Sequence, residues 1–273
     1  MTDAPYTITV SLITVVKNAE RHLEEALQSI QQQTYPHIEH IVVDGESTDG
    51  TAEILNRYQA SIAQLIRGPD AGIYDAMNKG IAAASGDIIG FLNADDVLYP
   101  HAIEQVVEAL NQNPTKKYSY GPVDFCDTAG NIRGTSTPLP SNLRYARRYL
   151  EIPFPHLSMF VGKELFETYG RFDCRFKIRA DYDLMLRLMD KHVSSARLPE
   201  SVGKYRQGGI SSGWNSFVET ADVLKNHNVS VLYRSYSVSR AFLRTVAGQY
   251  CPPPIRHFLR RTTISKNSYS GSR

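Results

Sequence analysis

Two adjacent carboxylates, Asp95 and Asp96, close the run GDIIGFLNADD, and the chain places further carboxylates after other apolar runs, at Asp44 and Asp70. Paired carboxylates at a strand end can hold a hard divalent cation, Mg²⁺ or Mn²⁺, against phosphate oxygens, with one or two side chains as ligands. The same pair also suits strand termination, and Asp44, in DGESTDG, is equally a turn or N-cap residue. No G-x-G-x-x-G or G-x-x-x-x-G-K-[ST] follows the first apolar run, where TVVKNAE stands instead. A dinucleotide fingerprint and a P-loop are therefore disfavoured, and a bound diphosphate would need neutralising by something other than a glycine-rich backbone cradle.

The elements that must carry these residues alternate between two periods. Ile8 to Val16, Ile38 to Val43, Ile62 to Ile66 and Ile88 to Leu92 are rich in β-branched residues and read as buried strands, the last of them central. Between them Leu23, Ala26, Leu27 and Ile30 form one helical stripe that Asn18 could cap, and Ile54, Leu55 and Tyr58 mark a short helix. Ile73, Met77 and Ile81 mark a helix ended near Gly86. Pro100 opens a helix with Ile103, Val106, Val107 and Leu110 inward. This order predicts an α/β fold, a Rossmann-like, mostly parallel central sheet flanked by helices, with polar strand ends facing a ligand. From Tyr118 to about Pro155 the pattern turns to hairpin and loop; helices follow at Lys163 to Tyr169 and Asp181 to Lys191, with one or two more before the prolines at 252 to 254.

The 273 residues suit one large domain or two small ones, and 42% hydrophobic with 21% charged residues is an ordinary globular composition. Against a formal total of +2, nine Lys or Arg and no Asp or Glu from Val223 to Arg273 leave the first 222 residues at −7. Such a tail, with Arg256, Arg260 and Arg261 among Ile255, Phe258 and Leu259, could lie on an anionic membrane face, stay solvated or fold onto the acidic body. No nucleic-acid reading motif accompanies the charge. Three cysteines without a C-x-x-C pair, no secretory leader pattern and no long apolar span point to a reducing, cytoplasmic setting.

VVDGESTDGT, DAGIYDAMNKGI, GDIIGFLNADD and FDCRFKIRADYDLMLRL, in that order, together resemble the family 2 glycosyltransferases of GT-A fold. The likeness is closest to short bacterial members that build O-antigen, capsule and exopolysaccharide, and it spans Ile8 to Ser212. It implies a GT-A domain over residues 1–213, with a nucleotide-binding half (1–115) and an acceptor-binding half (116–213), followed by a helical basic extension over 214–273.

The resemblance assigns Thr14 and Val16 to the nucleobase pocket and Asp44 to a hydrogen bond with the base. Asp70 and Asn78 would border ribose and diphosphate, and Lys79 would contact phosphate. Asn93-Ala94-Asp95 matches the family's Asp-x-Asp motif with Asn in first place, so Asp95 would hold the metal with Asp96 as neighbour or second ligand. The catalytic Glu-Asp pair falls on Ala180-Asp181, leaving Asp181 as base and Asp183 as its competitor. His156 in FPHLSMF, and GGIS at 208–211 with Gly209, would face acceptor or donor. The implied reaction moves a sugar, with inversion, from a nucleotide-diphospho-sugar, UDP being the expected carrier, to a saccharide or undecaprenyl-diphosphate-linked acceptor. Competing readings are a polyprenyl-phosphate sugar synthase, a catalytically dead sugar-nucleotide-binding subunit, and a nucleotidyltransferase, which normally needs the glycine-rich loop absent here.

Overall fold

The structure, a computed structural model, describes residues 7–136, 138, 149, 152–207 and 214–250, with side chains of the last helix described to residue 243. Four strands, β1 (Val10–Val16), β2 (Ile38–Asp44), β3 (Gln64–Arg67) and β4 (Ile88–Phe91), pair in parallel in the order β4-β1-β2-β3. The helices between them are α1 (Leu23–Gln31), α2 (Thr51–Arg57) and α3 (Ile73–Ala83). A two-residue strand β5 (Val97–Leu98) and α4 (Ala102–Asn111) follow, then β6 (Tyr118–Tyr120), β7 (Asp124–Cys126) and β8 (Ile132–Thr135). The chain continues through β9 (Phe160–Gly162), α5 (Lys163–Tyr169), α6 (Ala180–Asp190), β10 (Ser195–Arg197) and β11 (Gly203–Arg206) to α7 (Trp214–Asn226) and α8 (Val231–Tyr250).

The main sheet has seven strands in the order β10-β6-β9-β4-β1-β2-β3, which puts β4 at its centre. β9 is antiparallel to both its neighbours. A second sheet, β5-β11-β7-β8, covers one end and contains the β7–β8 hairpin. The halves expected on either side of residue 115 thus share one sheet, since β6, β9 and β10 all come from beyond it. Within the segment expected as an extension from 214, α7 packs on the body, since its Val223 and Leu224 are fully buried in the main core.

Every residue of β1 is buried, and successive side chains serve opposite faces. Ile13 and Val15 join a core with α3 and α6, whereas Val10 and Leu12 join one with α4. Ile103, Val106, Val107 and Leu110 all turn inward on α4, each contributing roughly 1.5–3 kcal/mol of apolar burial. α3 lies so close on β1 that a Cβ at Gly80 would fall 2.5 Å from Cγ2 of Ile13.

Local chemistry moves several boundaries. The amide of Thr9 donates to the Asp87 carboxylate (2.8 Å), and β1 begins one residue later. A 3₁₀ turn over Gln59–Ser61 delays β3 to Gln64. Asn18 does not cap α1, which starts after His22. Its Oδ1 instead accepts the amide of Thr48 (2.8 Å), tying the end of β1 to the loop before α2.

Candidate active site

The carboxyl ends of β1 and β4, the start of α3 and the segment leading into α6 open onto one cavity of about 1450 Å³, roofed by parts of β8 and β11. This is where an open α/β sheet gathers its ligands. Of the residues singled out from sequence, Val16, Asp70, Asn93, Ala94, Asp95, Asp96, His156 and Asp181 line it. Gly209 lies outside the described residues.

Asp181 stands in the first turn of α6, where unpaired backbone N–H groups favour an anion. Its Oδ1 accepts the hydroxyl of Tyr74 at 2.9 Å and the amide of Tyr182 at 2.8 Å. The Tyr74 hydroxyl also lies 3.0 Å from the carbonyl of Ile178, so its single proton is shared between two oxygens that only accept. Burial, reinforced by the Asp181 charge, raises the Tyr74 phenol well above its ordinary pKa, and it remains a donor. His156 stacks on Phe91 with ring centroids 5.1 Å apart. Burial lowers its pKa, against the pull of Asp181, and favours the neutral imidazole.

On the opposite wall the adjacent aspartates part company. Asp96 is 1% exposed; its Oδ1 accepts the amide of Arg206 (2.9 Å) and its Oδ2 the side-chain amide of Asn93 (3.2 Å). Burial and the neighbouring charge of Asp95 push its pKa up to about 8, and both its oxygens are engaged by internal donors. Asp95 is left as the more open carboxylate of the pair. The Nε of Arg206 donates to the Asp95 carbonyl (2.9 Å), so one buried arginine holds the backbone of Asp95 and the carboxylate of Asp96.

Five further expectations lead elsewhere. Thr14 is buried within the sheet, its hydroxyl 3.0 Å from Nε2 of His40. Asp44 is 3% exposed; it accepts the amide of Ser47 (2.9 Å) and lies 3.6 Å from Nε of Arg67, bracing the turn after β2 rather than lining the cavity. Asn78 offers its amide to the backbone of Phe172 in both directions, at 2.9 and 3.0 Å, as a strand would. Lys79 pairs with Asp75 one helical turn away (3.2 Å). Asp183 points into the protein and binds Arg187 (2.8 Å) and His227 (3.1 Å), a structural ion cluster rather than a base.

A sequence model described as glycosyl transferase family 2 matches residues 11–170. This chain is a family 2 glycosyltransferase. An uncharacterized glycosyltransferase of Mycobacterium tuberculosis (strain ATCC 25618 / H37Rv) is 38% identical over 191 residues, 68% of this chain and 70% of the relative. A PGL/p-HBAD biosynthesis glycosyltransferase of Mycobacterium bovis (strain BCG / Pasteur 1173P2) is 30% identical, covering 74% of this chain and 78% of its own. S. aureus TarS 1–349 in complex with UDP-GlcNAc superposes with a TM-score of 0.66 at 16% identity, over 88% of this chain and 73% of that one. The mannosyltransferase PcManGT from Pyrobaculum calidifontis, in complex with GDP-Man and Mn²⁺, gives 0.65 at 18% identity over 95% and 80%. Against the longer TarS chain this glycosyltransferase spans 44% of the length. Its fold is of the GT-A type. The family match stops before α6, so Asp181 rests on its own geometry and motif.

Among the described residues of this glycosyltransferase, no three His, Cys, Asp or Glu side chains gather as a metal cage. A Mg²⁺ or Mn²⁺ shared between one carboxylate, substrate phosphates and water needs none. Asp95 fits that role, and Oδ1 of Asn93, buried without a partner among the described residues, adds a hard oxygen beside it. Elsewhere in the cavity Lys17, Arg21, Lys177 and Arg179 supply a cationic lining, which the sequence reading did not single out. Lys177 and Arg179 stand inside the FKIRADYD motif, so their positions were visible but their direction was not. At the edge of β2 a Cβ on Gly45 would fall 2.1 Å from Oδ2 of Asp70, so only glycine lets Asp70 sit there undisturbed.

Proposed function

We propose that this glycosyltransferase moves a sugar, with inversion at its anomeric carbon, from a nucleoside-diphospho-sugar to a saccharide or polyprenyl-linked saccharide acceptor in cell-surface polysaccharide or glycolipid synthesis. The observation that carries the reading is that Asp181, aimed by Tyr74, and Asp95, at the end of β4, line the same cavity. UDP is the expected carrier, in line with the UDP-GlcNAc seen in TarS; the GDP-Man in PcManGT makes GDP the runner-up. A polyprenyl-phosphate acceptor would make the enzyme a sugar synthase of the same class, acting in the same cavity.

A sugar hydroxyl is a poor nucleophile in water, and a carboxylate near pKa ~4 is a weak base. Proton transfer therefore accompanies bond formation: the acceptor oxygen bonds to the anomeric carbon, its proton passes to Asp181, and the bond to the diphosphate breaks with its electron pair leaving on the phosphate oxygen. Tyr74 keeps one carboxylate oxygen fixed so that the other faces the acceptor. Neutral His156, its Nε2 buried without a partner among the described residues, offers a hydrogen bond to a sugar or phosphate oxygen. Lys17, Arg21, Lys177 and Arg179 stabilise the charge gathering on the departing diphosphate. A divalent cation at Asp95, when bound, adds Lewis-acid stabilisation of that charge. Were Asp181 not the base, the chain could still bind nucleotide sugar as a non-catalytic subunit.

Calorimetry with Mn²⁺ across UDP, GDP and dTDP sugars identifies the donor, and nucleoside-diphosphate release measures turnover. Asp181→Asn is expected to lower kcat by at least about 10²-fold with donor affinity retained. Equal turnover by the two proteins with every donor would dismiss Asp181 as the base.

A further inference from the structure

α7 lies beyond the family match, yet it reaches back to the segment that delivers the base. The carboxylate of Glu219 accepts three successive backbone amides: Lys177 on Oε1 at 2.9 Å, and Ile178 and Arg179 on Oε2 at 2.7 and 3.1 Å. These amides immediately precede α6, which has no side-chain cap of its own at Arg179. A helix start leaves its first N–H groups without partners, and an acidic side chain there both accepts hydrogen bonds and complements the dipole. Here that acid comes from another helix, 40 residues away in sequence. The Nε of Arg179 returns a weaker bond to the Ser216 carbonyl (3.4 Å).

α7 is itself a firm reference. Ser216, Val223 and Leu224 are buried, and Asn226 at its end reaches Asp183 of α6 at 3.2 Å. The two joints, at residues 177–179 and at Asp183, flank the first turn of α6, with Asp181 between them. Residues 177–179 form cavity wall, and Lys177 donates to the Ala71 carbonyl (3.0 Å), linking this wall to the turn that precedes Tyr74. A base displaced by even about 1 Å can lose two orders of magnitude in rate.

We propose that Glu219 is a positioning residue for the reaction: by gathering the amides of residues 177–179 it sets where the Asp181 carboxylate stands against the acceptor hydroxyl. This rests on the reading of Asp181 as base.

The test uses the full chain carrying Glu219→Gln, alone and with Asp181→Asn, and the UDP or GDP sugar selected by calorimetry. The single variant is expected to lose roughly tenfold or more in kcat, a larger factor than any change in donor KM or in UDP affinity in Mn²⁺ that follows from Lys177 and Arg179 sharing the loosened wall. Amide exchange should quicken by roughly tenfold at 177–179 while the rest of the chain keeps its protection. In the Asp181→Asn background the added change should alter residual turnover by less than about twofold, because both act through one carboxylate. Unchanged kcat, an equal fall in both backgrounds, or a loss of protection throughout the chain would each overturn the proposal. Wild-type turnover by Asp181→Asn alone would instead remove the base, and the positioning role with it. Should the Gln variant misfold, Glu219→Asp, one methylene shorter with both oxygens kept, carries the same expectations at smaller size.

Discussion

The hydroxyl of Tyr74 lies 2.9 Å from Oδ1 of Asp181 across a separation of 107 residues, joining the start of α3 to the start of α6. Removing it leaves the same oxygen on the Tyr182 amide but takes away the hydroxyl that aims the carboxylate across the cavity. Tyr74→Phe should lower kcat by roughly tenfold to a hundredfold, the worth of one hydrogen bond to a charged group, with donor KM unchanged. Steady-state kinetics checks this; a raised KM with full kcat would place Tyr74 in donor binding instead.

Asp95 and Asp96 are neighbours with opposite tasks, and their variants should separate. Asp95→Asn is expected to weaken UDP binding in Mn²⁺ by at least about tenfold and to leave metal-free binding nearly unchanged. Asp96→Asn, isosteric and near the protonation state that burial favours, should retain most of the metal-dependent binding. Calorimetry with and without chelator reads both, and equal losses would show the pair acting as joint ligands.

His227 sits between Asp183 (3.1 Å) and Asp190 (2.7 Å). Burial works against its charge, but hydrogen bonds to the two carboxylates outweigh it and carry the pKa up to about 9. A folded-state pKa above the unfolded one means that this contribution is complete below about pH 6.5 and lost as pH rises through about 9. Asp183 behaves oppositely: burial alone would raise its pKa, yet His227 and Arg187 lower it, and its contribution fades only in acid. Thermal melts should show a plateau between these limits and an alkaline decline on the order of 1–3 kcal/mol. His227→Gln should flatten that alkaline limb.

The outer face of α8 exposes Leu232, Tyr236 and Leu243, at 86%, 58% and 64%, at the start of the stretch that holds nine cations and no acid. No helix among the described residues is long and apolar enough to cross a membrane. In our reading this face meets an anionic leaflet, each cation adding about 1 kcal/mol near the surface. Co-sedimentation should rise with the phosphatidylglycerol content of vesicles and fall with salt. Leu232→Asp with Leu243→Asp should reduce it while transfer to a soluble acceptor persists. Equal binding to neutral vesicles would remove the electrostatic part of this reading.

The sheet was legible because β1, β2 and β4 are dense in β-branched residues and the helices between them repeat at helical spacing. The active-site wall was legible where a motif residue stands at a strand or helix end that opens on the cavity, as Asp70, Asp95 and Asp181 do, although the Gly72 amide on Asp70 and the Tyr74 hydroxyl on Asp181 were not. Asn78, Asp96 and Asp183 look the same on paper, but each is claimed by a partner that proximity in sequence does not reveal: the Phe172 backbone 94 residues on, the Arg206 amide 110 residues on, and His227, 44 residues on. The caps failed for the same reason. Asn18 suits α1 by spacing yet serves the loop before α2, and α6 takes its cap from Glu219, which no local pattern connects to it.

The antiparallel ladder of β9 on β4 pairs Ile88 with Gly162 and Gly90 with Phe160. During synthesis the apolar IIGF edge therefore waits, bare, until the ribosome has released more than half the polypeptide. Late, non-local closure of this kind slows folding and leaves an unpaired strand open to the wrong neighbour. Fragments ending near residue 115 should precipitate rather than persist as a nucleotide-binding module, so the smallest autonomous unit of this enzyme must run past Gly162.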